Sequence, residues 1–208
     1  MNTLNSCLMW AINLDTPVDL GCVFDSSDLK DTGVELDSHV TLLYAQGEEI
    51  PKDNLISEIH EILGDEDFEW FMGLCKNDTF YETFDLFELG TFENDSDYVV
   101  LKMKQSEVLN KLRLINKGLS VKYGVTSKFD NYIPHLTLAE LQPGTAKKYI
   151  ESQTLQGVLK DSAINFEDIL ISYGEDGAPE DRKHFYLTKY KVIPRFFRIF
   201  HLKKDSIE

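Results

Sequence analysis

The feature that most constrains this chain is a pattern it carries twice. Ser38-His39-Val40-Thr41-Leu42 and Pro134-His135-Leu136-Thr137-Leu138 share His, aliphatic, Thr and Leu at matching positions. Each copy sits in a β-rich run. Side chains alternate with period two along a strand, so His and Thr of each copy point one way, while Val40 and Leu42, or Leu136 and Leu138, point into a core. One such tripeptide is common on half-buried strands. Two with matched flanks, in a chain of only five histidines, mark a site assembled from two similar parts. His60, His184 and His201 have no such flanks, and His60 lacks the second histidine of a zinc-binding helix.

The periodicity around the repeat predicts an α+β domain. Strands are expected over 8–14, 21–24, 39–45, 80–92, 98–103, 132–141, 164–173 and 184–192, from short β-branched or aromatic runs bounded by turn residues. Residues 25–37, rich in Asp, Ser and Gly, read as a loop. Helices are expected over 51–63, with Pro51 at its start and Gly64 after its end, over 106–123, and over 143–153. Segments 80–92 and 98–103 form a hairpin in this reading. The order of elements suggests antiparallel sheets covered by helices on one side. Residues 1–192 make a single domain, and 193–208 form a tail that mixes Phe196, Phe197 and Phe200 with basic residues.

Charge narrows the partners. The net charge is -15, which argues against tracking a long nucleic acid, since that depends on a basic footprint. The charge is uneven, however. From 48 to 97 there are sixteen acidic residues against Lys52 and Lys76, whereas 102–128 and 182–204 are strongly basic. A ligand with a few phosphates can bind beside the basic segments without meeting the acidic one. Cys7, Cys22 and Cys75 are odd in number and widely spaced, so they suit neither a disulfide framework nor a Cys pair for metal or redox work. With no signal-peptide block and no apolar run of about eighteen residues, the expected location is the cytoplasm (the host cytoplasm for a viral chain), with no membrane contact.

Two imidazoles and two hydroxyls suit phosphodiester cleavage without a metal or other cofactor. Attack on phosphorus needs a base for the nucleophile and an acid for the leaving oxygen on the opposite side. Histidine can serve as either near neutral pH. Thr41 and Thr137 can donate to the non-bridging oxygens. For the nucleobase, aromatic rings offer stacking surfaces, and the candidates are Trp10, Tyr132 just before the second motif, and Tyr173 at a strand end.

On these residues the chain resembles the two-histidine (2H) phosphoesterase superfamily, which includes RNA 2',3'-cyclic phosphodiesterases, the 2'-5' RNA ligase-like proteins, 2'-5' oligoadenylate phosphodiesterases and phage enzymes that degrade cyclic-oligonucleotide signals. The resemblance spans about 8–192 and implies a bilobal, pseudo-symmetric fold, two antiparallel sheets flanking a cleft with helices outside. It also implies His39, Thr41, His135 and Thr137 as catalytic residues. Leu8-Met9-Trp10-Ala11-Ile12 is similar to a first strand whose Trp lines the substrate cleft. Leu42-Leu43-Tyr44 is similar to a segment with a substrate-contacting Tyr, although strict alternation would put Tyr44 on the face opposite His39 unless a bulge intervenes. Tyr132-Ile133-Pro134-His135 is similar to the family's aromatic-x-Pro-His. Glu140 departs from the Arg that bacterial members often carry. The expected substrate is a small nucleotide or cyclic oligonucleotide, and the alternative is a module that binds nucleotide or RNA in the same cleft without turnover.

Overall fold

The computed structural model describes residues 4–77, 79–125, 131–175 and 183–188. The expected strand residues beyond 188 and the tail 193–208 lie outside the described residues. Along the chain come β1 (Leu4–Asp15), β2 (Leu29–Val34), β3 (His39–Ala45), α1 (Leu55–Leu63), α2 (Asp65–Lys76), β4 (Tyr81–Glu82), α3 (Thr83–Leu86), β5 (Phe87–Glu93), β6 (Asp97–Met103), α4 (Glu107–Tyr123), β7 (His135–Leu141), α5 (Ala146–Ile150), α6 (Gln153–Lys160), β8 (Ala163–Glu175) and β9 (Lys183–Tyr186). The fold is α+β. No helix among the described residues is long and apolar enough to cross a membrane.

Among the described residues all nine strands belong to one antiparallel sheet, in the order β4-β8-β1-β3-β7-β6-β5, with β2 on β7 and β9 on β8. The separate sheets expected from the sequence are thus joined. The join is narrow, because β3 and β7 share a single pair, Val40 opposite Leu136. β2 takes the rest of that edge, with Leu29 opposite Leu141 and Val34 opposite Ala139. The two motif strands therefore meet at the centre of the sheet, at the aliphatic position of each motif.

Helices cover one face. α4 starts at Ser106, whose hydroxyl accepts from the Leu109 N–H at 3.1 Å, and stops at Gly124 in the left-handed region (φ 66°). It buries Val108, Leu109, Leu112, Ile115 and Leu119, the helical spacing visible in the sequence. Gly118 lets α1 come close, since a Cβ there would lie 2.7 Å from Ile62 Cδ1. The first half of the sheet packs on α1, α2 and α4 through Leu8, Trp10, Ile12, Val40, Leu42 and Leu43.

Several local expectations change. Residues 20–22 form a 3-10 turn capped by Asp19 rather than a strand. The expected loop 25–37 contains β2. The expected strand 80–92 is interrupted by α3, and 143–153 is divided, with α5 ending at Ile150 and α6 starting at Gln153. The hairpin holds, as β5 pairs with β6 from Phe87 opposite Met103 to Glu93 opposite Asp97.

Candidate active site

Both motifs carry the same irregularity. Thr41 lies opposite Met9 but Leu43 opposite Leu8, which leaves Leu42 as an extra residue in β3. Thr137 lies opposite Val100 but Ala139 opposite Val99, which leaves Leu138 as the extra residue in β7. Each bulge thus falls on the Leu of its motif. Both leucines are buried, and the residue after each is buried too, so the alternation shifts by one. Beyond the bulge Tyr44 returns to the face of His39 and Thr41, and Glu140 to the face of His135 and Thr137. The bulge that alternation demanded for Tyr44 is present, and its side chain is 40% exposed.

Val40 and Leu136 are fully buried on the core face, while His39, Thr41, His135 and Thr137 are half-buried on the other. The two imidazoles are held alike. His39 Nδ1 is 2.7 Å from the Asp37 carbonyl oxygen, and His135 Nδ1 is 2.8 Å from that of Ile133. A carbonyl only accepts, so each Nδ1 bears hydrogen and each Nε2 is left for proton exchange. The histidines are close enough to sense each other's charge. His135 is held below the ordinary imidazole value, first by burial and further by the charges of His39 and Lys102, against the opposing bond to Ile133.

Lys102 was not singled out from the sequence, and it is the main addition to the site. It lies opposite His135 in the sheet, and its ammonium stands 4.5 Å from the centroid of the Phe92 ring. Phe92 in turn meets His135 edge-on, with centroids 4.8 Å apart. A strand glycine, Gly90, was the available signal, because such glycines often mark close approach of another group.

The aromatic candidates divide. Tyr132 donates its hydroxyl to the Thr41 carbonyl oxygen at 2.7 Å, and burial raises its phenol's proton affinity. It braces one motif strand against the lead-in to the other. Trp10 is a correction: it is 0% exposed, stacks on Phe166, tilts against Phe71 and donates Nε1–H to Cys75 Sγ at 3.1 Å. Its pairing with Val40 fixes it on the core face, whereas Met9 and Ala11, opposite Thr41 and His39, share the motif face. Tyr173 is a second correction. It pairs with Ser6, one step out of phase with the motif face, and its hydroxyl donates to the Ile50 carbonyl oxygen at 2.5 Å.

The face that Trp10 leaves carries a different surface. Cys7, Met9, Ala11 and Leu170 form an apolar cluster separate from the main core, and Cys7 Sγ lies 4.0 Å from Thr41 Oγ1. Tyr186, opposite Leu170 and 52% exposed, extends that row away from Thr41. Among the described residues no group of three or more His, Cys, Asp or Glu side chains is arranged to hold a metal ion. No family model matches the chain, and no curated protein matches it significantly.

Proposed function

We propose that the chain cleaves a phosphodiester of a small nucleotide, a 2',3'-cyclic phosphate, a 2'-5' linkage or a cyclic oligonucleotide, with His135 and His39 as general base and general acid. The observation that carries this reading is the pair of imidazoles on one sheet face, each with Nδ1 tied to the carbonyl two residues earlier. Matching bulges at Leu42 and Leu138 support reading the halves as two pseudo-symmetric lobes. An antiparallel pair has a local twofold axis, and the Val40–Leu136 pair relates position to position in the two motifs.

His135 is the base, because burial and neighbouring positive charge favour its neutral form. The nucleophilic oxygen, from water or a neighbouring ribose hydroxyl, gives its proton to His135 Nε2 as it bonds to phosphorus. The P–O bond opposite breaks, and the departing oxygen takes the proton of protonated His39. His135 ends charged and His39 neutral, and exchange with solvent resets both. Thr41 and Thr137 donate to the non-bridging oxygens. Tyr186 and Tyr44, both exposed, are the rings on which a base can stack, each stacked base being worth about 1–3 kcal/mol.

The test is incubation with 2',3'-cyclic nucleotides, 2'-5' dinucleotides and cyclic dinucleotides in EDTA, with chromatography of products. Turnover that disappears in His39→Ala and His135→Ala is expected. Nucleotide binding without turnover would instead favour the binding module. Activity lost on chelation and restored by one divalent ion would remove the two-histidine chemistry.

A further inference from the structure

We propose that Lys102 is the anion-binding group of this cleft, seated by the missing side chain of Gly90 and the ring of Phe92, and that it holds the non-bridging oxygens of the phosphate beside His135. This rests on the phosphodiester reading above and adds a residue outside both motifs.

The cross-strand partner of Lys102 on the hairpin is Glu88, yet the lysine does not pair with it. Among the described residues no ion pair involves Lys102. The side chain lies instead across Gly90, where an added Cβ would fall 3.1 Å from Lys102 Cε and 3.3 Å from Nζ. A side chain at position 90 would crowd that path. The ammonium ends over Phe92, the ring that also touches His135. A cation steered past an available carboxylate and held against a ring beside His135 lacks a compensating charge among the described residues. A phosphate oxygen supplies one through a charge-assisted hydrogen bond. In a chain of net charge -15, a lysine with no ion pair among the described residues is also where an anionic ligand meets little repulsion.

Gly90 gives a clean probe. Its Cβ would come into tight contact only with the flexible end of Lys102, so Gly90→Ala should fold normally and displace the ammonium slightly. The charged groups facing His135 and Lys102 are His39 on β3 and Glu88 on β5, and both stay in place in these variants.

The experiment is NMR of the full chain with labelled histidine side chains, titrated with inorganic phosphate and then with pH, on wild type, Lys102→Ala, Lys102→Arg and Gly90→Ala. Circular dichroism verifies folding. Phosphate should shift the His135 ring signals in wild type, with binding weakened about tenfold or more in Lys102→Ala, to a lesser degree in Gly90→Ala, and restored in large part by Lys102→Arg. The proton affinity of His135 should rise in Lys102→Ala because a neighbouring positive charge is lost, while the weakened phosphate binding is what a purely structural lysine would not cause. Equal phosphate binding in wild type and Lys102→Ala, or no effect of phosphate on His135 in wild type, overturns the proposal. Assaying the same variants with 2',3'-cyclic nucleotides separates the two claims. Phosphate binding that depends on Lys102, with no turnover by any form, leaves the subsite standing and removes cleavage. Turnover unchanged in Lys102→Ala removes the lysine and leaves cleavage.

Discussion

The two halves of the sheet use one backbone device with different neighbours. On the first, His39 and Thr41 stand beside Ala11 and Met9, next to an apolar row that runs out to Leu170 and the exposed Tyr186. On the second, His135 stands beside Lys102 and against Phe92. Past the bulges the contrast continues. Tyr44 is open to solvent, while Glu140 is buried, accepts from the Tyr98 hydroxyl at 3.1 Å and lies 3.9 Å from the Lys30 ammonium. The repeated part can supply paired acid and base. The unrepeated neighbours differ, with a buried apolar row leading to the exposed Tyr186 on one side and the cation of Lys102 on the other, and a repeat of motifs alone could not reveal that difference.

The largest effect should come from Trp10, which anchors the first half from behind. Trp10→Ala should cost about 3–5 kcal/mol of stability through lost contacts and a cavity, read as a lower denaturant midpoint. A variant of unchanged stability that no longer bound nucleotide would return Trp10 to the cleft and break the assignment of the faces.

Next come the histidines. His39→Ala or His135→Ala should each lower kcat by about a hundredfold or more, as loss of an acid or base commonly does, with melting temperature little changed. Full activity in either would break the equivalence of the halves. Thr41→Ala and Thr137→Ala should cost less, about 10- to 100-fold in kcat, if each removes one donor to the developing charge. Two equal losses would sharpen the symmetry, and one silent threonine would show which half holds the oxygens.

Tyr186→Ala tests the apolar side. If a base stacks on it, KM should rise about tenfold with kcat preserved, and an unchanged KM would leave stacking to Tyr44.

The smallest effect is in pH. His135 is depressed below the ordinary value of 6.5 in the folded chain. Between that value and its folded pKa the unfolded chain binds more protons, so the stability from keeping His135 neutral is complete above about 6.5 and lost as pH falls through the folded pKa. Denaturation from pH 8 to 5 should therefore show a fall that His135→Asn flattens. In kcat/KM the limb for the base should lie below 6.5, and a limb above it would remove His135 as the base.

Much of the fold was legible in the sequence. α4 announced itself through Ser106, Gly124 and the spacing of its five buried aliphatics, and the β5–β6 hairpin through two β-rich runs around a turn. β2 was hidden, because Leu29–Val34 reads Leu-Lys-Asp-Thr-Gly-Val and owes its strand form to the free edge of β7. α2 was missed because it starts straight after Gly64, where a helix stop had been read, with three acidic residues in its first turn to complement its dipole.

That the His and Thr of each motif share one face followed from the sequence alone. A repeated pattern in strands with period two fixes which side chains travel together, whatever the sheet around them. What alternation does not fix is which face of a neighbouring strand belongs to the site. Trp10 and Met9 are adjacent in β1, and only the pairing of Met9 with Thr41 and of Trp10 with Val40 assigned one to the cleft face and the other to the core. The same holds for Tyr173, and for Lys102, which is distant in sequence from His135 until the sheet sets them side by side. Register is decided by the cooperative burial of all strands together, since a one-residue slip would turn every apolar side chain outward. That balance belongs to the tertiary structure and to no single segment.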